Sequence, residues 1–535
     1  MGKIRYRPMK PFWPLLLVIA LAGCRKEEPA RWDVDLLAPL IKTTFTISDL
    51  VADSMLITGG DGLITIIYRD ELFALQLDTV IQSPDTSFFY KYALPIPGSL
   101  NFAAGVTVFD QQDVTNFDLG DVQLRTLIVR EGFLDMDLIN MVQSTVLGTF
   151  QLPGATIGGT TPQLFATVGP GTPATPGTAQ ATMDLSGAHF DLRGPQFDQV
   201  NTLSTHITAQ LDPNGSGATV SNQDSIIVVA TYREIVPQYA RGFFGERTIE
   251  IGPDSTEIDI FRNIVGGSID LDEVTLRVLV ENGLGVDIQA HLHRFTAFNS
   301  HTGNSVDLAH TIMSAPINLT RAIETGGGFQ PSFYQNELDN SDSNVDLFLE
   351  NMPDRIHYEL DLDVNPLGDI SNGNDFLYYD SRVRAELELE IPLDLIATDL
   401  TLQSELSPEL SGSLEQHALL SGGLRIFADN GFPFSAELQI EIVNENGEVL
   451  STLPVKGTIA SGILGPDQLV ASSVSTELSA MLTADQVNLL YSGGKFRIRS
   501  IFNTADQSQH IRILDSYKLE LQVTAAAHYM VNGNE

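Results

Sequence analysis

Four histidines and a scatter of carboxylates are the residues of this chain whose spacing could do chemistry. His291 and His293 lie two apart, and His301 and His310 follow. On an extended strand, residues two apart project from one face, and such a pair can clasp zinc when a third ligand arrives. The neighbours weigh against that use. Ile288, Ala290 and Leu292 take the opposite face, which makes the histidine face the wet one. Asp339, Asp342 and Asp346, beside Asn340 and Asn344, offer the oxygen ligands that calcium takes. Their spacing lacks the Gly and the distal Glu of an EF-hand loop, so a solvated loop is the plainer reading. Beyond that calcium candidate, no cofactor is expected.

Other carboxylates pair up along strands: Asp361 with Asp363, and Glu386 with Glu388 and Glu390. Alternation puts them on outward faces. A glycosidase needs two such groups about 5–9.5 Å apart across a cleft, and nothing in the sequence gathers them into one. There is no Gly-x-Ser-x-Gly elbow, no phosphate loop and no dinucleotide fingerprint. The expectation is therefore a binding or scaffold protein, with a glycosidase as a weaker reading. A glycan-binding role would call for exposed aromatic rings. Beyond residue 23 the one Trp is Trp32, which leaves Phe88-Phe89-Tyr90 and Tyr378-Tyr379; in strands such residues are more often core than platform.

Cys24 is the only cysteine among 535 residues, and it closes the sequence Leu21-Ala22-Gly23-Cys24. Lys3, Arg5, Arg7 and Lys10 form a basic stretch ahead of an apolar run from Pro14 to Ala22. That run is short of the roughly 20 residues a spanning helix needs, so it reads as a cleaved leader. The four residues resemble the lipobox of bacterial lipoproteins. The resemblance implies cleavage before Cys24 and acylation of that residue, and two or more chains anchor stably where one does not. Arg25-Lys26-Glu27-Glu28 then resembles the acidic export tag of Bacteroidota surface lipoproteins. This implies an outer-membrane address, facing outward; the anchor, the row of domains and the lack of catalytic signals then point to docking on an integral outer-membrane barrel or transport complex, with a surface glycan as the alternative partner. With a lone cysteine, no internal disulfide can staple the fold.

The formal net charge is −38, and the first 23 residues carry four basic and no acidic residues, so cleavage would bring it to −42. Such a chain repels phosphate backbones, which excludes nucleic acid as a partner. At 43% hydrophobic residues it has ample material for cores.

The elements that must position these residues read as strands. Ile356 to Val364 and Arg382 to Ile391 alternate apolar and polar residues with period two, the mark of half-buried antiparallel strands. Helical stretches are few and short: Val345 to Asn351 and Ala484 to Leu490. A repeat is visible at an offset of 148, where Leu276 to Val286 (LRVLVENGLGV) matches Leu424 to Phe434 (LRIFADNGFPF). A weaker third copy begins at Val122 and runs through Glu131-Gly132. Asn-Gly at the turn predicts a hairpin. The strand-Asn-Gly-strand pattern resembles the immunoglobulin-like domain of late-embryogenesis-abundant proteins. The expected fold is mainly β: tandem antiparallel β-sandwiches, immunoglobulin-like, with a few short helices. The expected segments are a signal peptide over 1–23, a lipidated tether over 24–31, and domains over 32–238, 239–398 and 399–535. The Gly/Thr/Pro-rich stretch 153–177 is expected to form a long exposed loop, and 324–343 a second irregular segment.

Overall fold

The computed structural model describes residues 31–47, 55–76, 85–93, 97–407 and 417–532. The leader, the Leu21-Ala22-Gly23-Cys24 motif and residues 25–30 lie outside them. The mainly β, antiparallel reading holds: the chain builds three eight-stranded sandwiches, and its two α-helices among the described residues are short.

The sandwiches are nested along the sequence rather than strung in a row. The inner one is contiguous. Its strands are Thr86–Ala93, Thr107–Asn116, Gln123–Asn140, Val146–Gln151, Gln163–Val168, Gly177–Asp184, Thr202–Leu211 and Ser225–Phe243. The middle one takes its first strand, Ile64–Gln76, from before the inner sandwich and the rest from after it. These are Arg247–Glu257, Thr275–Asn282, Ile288–Phe298, a fifth split into Ser305–Asp307 and Ile317–Leu319, Ser332–Asp339, Arg355–Val364 and Arg382–Pro392. The outer one repeats the device. Arg31–Phe45 precedes everything, and Asp394–Leu406, His417–Asn430, Phe434–Val443, Val449–Leu453, Val474–Leu482, Lys495–Thr504 and Leu519–Asn532 follow. Each insertion therefore falls between strands 1 and 2 of its host.

Numbered within each sandwich, one sheet runs 1-8-3-6 and the other 2-7-4-5, in all three. Eight strands in that order are the double Greek key of a jelly roll, not the ABED/CFG order of an immunoglobulin domain. The middle sandwich also supplies two extra strands. Ile264–Leu271, from its connection between strands 2 and 3, pairs with Asp394–Leu406. Asp375–Tyr378, from its 7–8 connection, pairs with Ser225–Phe243 of the inner one. By contacts the chain divides into two compact units. One holds residues 1–66, 261–272 and 392–535, the other 67–260 and 273–391. The expected cuts near 239 and 398 fall inside strands Ser225–Phe243 and Asp394–Leu406.

Period-two patterning builds each interior. In Arg355–Val364 the residues Ile356, Tyr358, Leu360, Leu362 and Val364 are buried, and in Arg382–Pro392 so are Val383, Ala385, Leu387, Leu389 and Ile391. The predicted helices appear as Val345–Glu350 and Ala484–Tyr491. Both join strand 6 to strand 7. The second starts from a capping box in which Thr483 and Gln486 satisfy each other's backbone amides.

The repeat marks a structural corner, not a hairpin. Strands 3 and 4 lie in different sheets, so Asn-Gly carries the chain from one sheet to the other. Asn430 is buried; its Oδ1 accepts from Phe432 N (2.9 Å) and its Nδ2 donates to Phe434 O (2.7 Å) and Ala460 O (2.9 Å). Asn282 does the same with Leu284 N and Thr320 O, both at 2.9 Å. In the inner sandwich the residue so placed is Asn140, which binds Val142 N (2.8 Å), Ser144 O (2.8 Å) and Gly169 O (2.9 Å). The next amide in each case, from Met141, Gly283 and Gly431, reaches the start of strand 8 at Ser225 O, Arg382 O and Lys518 O. The third copy thus centres on Asn140 rather than on Glu131-Gly132, which sits in a bulge of strand 3 opposite Arg233–Val236.

Two stretches expected to be irregular contain strands. Within 153–177, Gln163–Val168 is strand 5 of the inner sandwich, with Leu164, Ala166 and Val168 buried. Within 324–343, Ser332–Asp339 is strand 6 of the middle one and pairs with Thr275–Asn282. Gly, Thr and Pro at the flanks hid a period-two core only six residues long.

Candidate binding groove

The chemistry-bearing residues singled out in the sequence are mostly engaged across strands of the middle sandwich. His291 Nε2 lies 3.3 Å from Asp363 Oδ2, and His293 Nε2 lies 2.7 Å from Asp361 Oδ2. His310 caps the turn that follows it, its Nδ1 accepting from Ile312 N at 3.2 Å, while its Nε2 sits 3.6 Å from Asp342. His301 donates its backbone amide to Asn299. Asp339 accepts from the amide and hydroxyl of Ser341, which hold its carboxyl below the usual range; Asp342 accepts from Asp339 N at 3.1 Å. Asp346 occupies the first turn of helix Val345–Glu350. Among the described residues, no group of three or more His, Cys, Asp or Glu gathers in an arrangement that could hold a metal.

Glu386, Glu388 and Glu390 form a ladder with arginines on the 1-8-3-6 sheet. Arg277 reaches Glu337 (2.7 Å), Glu388 (2.8 Å) and Glu390 (2.5 Å), Arg69 binds Glu388 from the other side, and Arg384 bridges Glu71 (2.8 Å) and Glu386. Glu388 is buried. Desolvation raises its pKa, but the two guanidiniums outweigh it and leave the carboxyl below its ordinary value. The aromatic runs are likewise engaged. Phe88 packs edge-on against Phe117 and Tyr232, and Tyr90 is buried, while Phe89 is exposed. Tyr378 joins Tyr239, Phe329 and Phe376 where inner and middle sandwiches meet, and Arg130 lies 4.0 Å over the ring of Tyr379.

The site that sequence reasoning missed is a groove of about 700 Å³ on the inner sandwich. One wall is the strand pair of Gln112 to Val114 with Ser204 and Thr205. The other is a small ribbon. His189–Asp191, from the 6–7 connection, pairs with Ala155–Thr156, from the 4–5 connection, and also with strand 3 at Thr126 to Ile128. Pro195 and Phe197 complete the lining.

Phe197 is 63% exposed and has φ of 63°, a left-handed conformation that bulky residues rarely adopt. Its ring is held by Arg193, whose guanidinium lies 5.1 Å from the ring centroid. Arg193 is itself fixed by two bonds to Asp191, Nε to Oδ1 at 2.9 Å and Nη2 to Oδ2 at 2.7 Å. That guanidinium holds the Asp191 carboxyl below its usual range. Asn201 anchors the end of the segment, accepting from Leu124 N and donating to Val122 O. Strain kept at an exposed aromatic, and bolted down by a charged pair, marks a built surface. No signal in the sequence Arg193-Gly194-Pro195-Gln196-Phe197 announces it.

No family model matches the chain, and no curated protein matches it. A solved structure of a protein from Parabacteroides distasonis, assigned as secreted, is similar over 52% of this chain and 82% of that one, at 12% identity and a TM-score of 0.25. A chain from the structure of Sulfolobus turreted icosahedral virus aligns over 94% of this chain and all of that one, at 10% identity and a TM-score of 0.11. Neither likeness carries an argument. No helix among the described residues is long and apolar enough to cross a membrane.

Proposed function

We propose that the chain is a non-catalytic lipoprotein of an outer membrane, anchored through Cys24 and facing outward, that works by binding and docks on an integral barrel or transport complex. The observation that carries the reading is the contrast between its two kinds of polar residue. The candidate histidines and glutamates are tied into cross-strand pairs on sheet faces, while the inner sandwich keeps an open groove with an exposed ring. The sequence supports the anchor. Six residues separate Cys24 from the first strand of the outer sandwich, a reach of at most about 25 Å when extended. An acylated Cys24 would thus keep the start of that strand near the membrane surface.

The test is isolation of the natural protein in mild detergent. Acyl groups on a chain beginning at Cys24, seen by mass spectrometry, together with a co-purifying integral barrel, are expected. An unprocessed, unacylated chain that runs as a lone monomer would overturn the reading.

A further inference from the structure

We propose that the groove of the inner sandwich is a site for a neutral saccharide chain, with Phe197 as the stacking platform. This rests on the reading of the protein as a binding protein and names what it binds.

Three observations point to this chemistry. The first is the ring. Arg193 sits over Phe197 at 5.1 Å, yet the residue stays 63% exposed, so apolar ring surface remains open to a ligand. The C–H face of a pyranose is a flat apolar surface edged by hydroxyls, and it matches a lone exposed ring. The second is the polar complement. Gln112, His189 and Ser204 line the groove, and their side chains make no hydrogen bond within the described residues. An amide, an imidazole and a hydroxyl each offer both a donor and an acceptor, which is what a sugar hydroxyl needs.

The third is charge. No lining residue is Lys or Arg, Asp191 is already neutralised by Arg193, and Asp113 leaves the groove slightly negative in a chain of −38. An anionic ligand such as a uronic acid polymer or a phosphorylated chain would be repelled. A neutral polyol carries no such penalty.

The backbone supports the same reading. A left-handed backbone is unfavourable for Phe, and Asn or Gly adopts it more readily. The ring is therefore held there against conformational preference, as expected of a residue kept for contact rather than for folding.

The test is affinity electrophoresis of the full chain through gels containing a neutral β-glucan, an α-mannan or a galactan, with polygalacturonate as the anionic control. At least one neutral polymer should retard the chain, and polygalacturonate should not. Phe197→Asn keeps the left-handed turn and removes the ring, so it should weaken binding tenfold or more with an unchanged melting profile. His189→Ala should weaken it several-fold. Phe165→Ala removes a 62% exposed ring of the same sandwich that does not line the groove, and should change nothing. Absence of retardation by all three neutral polymers overturns the proposal, as does retardation unaffected by Phe197→Asn. So does a pool of extended peptides whose binding depends on Phe197, which would make this a peptide site. Glycan binding that survives when no barrel co-purifies would sink the docking reading alone, and the reverse result would sink this one alone.

Discussion

Strand 6 is joined to strand 7 by a short helix in the middle and outer sandwiches, and by an irregular ribbon in the inner one. Everything around that connection is the same: the 1-8-3-6 and 2-7-4-5 sheets, the buried asparagine at the end of strand 3, and the amide that reaches the start of strand 8. The difference is confined to what the connection does. Helix Val345–Glu350 buries Val345, Phe348 and Leu349, and helix Ala484–Tyr491 buries Val487 and Leu490, so both plug their sandwiches. The inner ribbon buries Phe190 and Leu192 but leaves Phe197 in water, and with the 4–5 connection it walls a groove. A fold closed by a helix is filled at that end; the same fold closed by a strained loop keeps an open groove, the proposed binding surface. This follows the general rule that sites ride on loops held by rigid scaffolds.

The comparison can be broken most decisively at the level of whole modules. The inner sandwich is contiguous and holds all eight of its strands between Thr86 and Phe243. A chain of that length buries enough surface to fold alone. Residues 86–243 expressed alone should unfold in one cooperative transition and keep the groove. Residues 247–392 alone lack strand 1 of the middle sandwich, Ile64–Gln76, and should show no cooperative transition. An inner fragment without tertiary structure would show that nesting is required for stability rather than a route by which a self-sufficient binding module was placed in its hosts.

The next largest effects should come from the shared corner. The buried side chains of Asn140, Asn282 and Asn430 each satisfy backbone groups at the corner. Replacing any one with Ala strands those groups, at about 3 kcal/mol. Chemical denaturation should find similar losses at all three positions. A near-neutral effect at Asn140 alone would mean that the inner corner, which lacks the following Gly, is built on other contacts.

The Arg–Glu ladder of the middle sandwich offers a smaller effect. Arg277→Ala leaves Glu388 buried with only Arg69, and should cost about 2 kcal/mol near neutral pH, less than a fully buried pair because Arg277 is partly solvated. The carboxyl of Glu388 is depressed in the folded protein. Its contribution is therefore complete above the ordinary glutamate value of 4.5 and fades as pH falls through the lower folded value. In the variant the loss of stability between about pH 4.5 and more acidic conditions should be shallower than in the parent. An acid limb that stays as steep would place the titrating carboxylates elsewhere.

What could be read from the sequence was local. Arg355–Val364 and Arg382–Pro392 show their buried faces by alternation, and the stretches at Val345 and Ala484 stand out as short helices. The nesting could not be read, because period two gives a strand's face but not its partner. Ile64–Gln76 lies beside Arg382–Pro392, hundreds of residues later, and no pattern in either marks the pairing. The third corner is hidden because Asn140 is followed by Met141 and not by Gly, whereas Glu131-Gly132 carries the acidic-then-Gly pattern of the other copies. The groove leaves no pattern of spacing or residue type in the sequence. The left-handed φ and the exposure of Phe197 belong to the folded loop and not to its residue types.

The smallest effects sharpen the opening contrast, because the two kinds of connection should answer oppositely to comparable substitutions. Thr483 caps helix Ala484–Tyr491 and accepts from Gln486 N. Removing the hydroxyl in Thr483→Ala leaves first-turn amides unsatisfied and should cost about 1 kcal/mol. Phe197→Asn removes a far larger side chain, yet it touches an exposed ring and relieves a left-handed aromatic, so stability should stay level or rise by a few tenths of a kcal/mol, since roughly that much is recovered when such strain is released. Denaturation midpoints of the two variants, measured beside the parent, check both. A loss at Phe197 as large as that at Thr483 would mean that the ribbon plugs its sandwich just as the helices do, and the division between supporting and binding connections would fail.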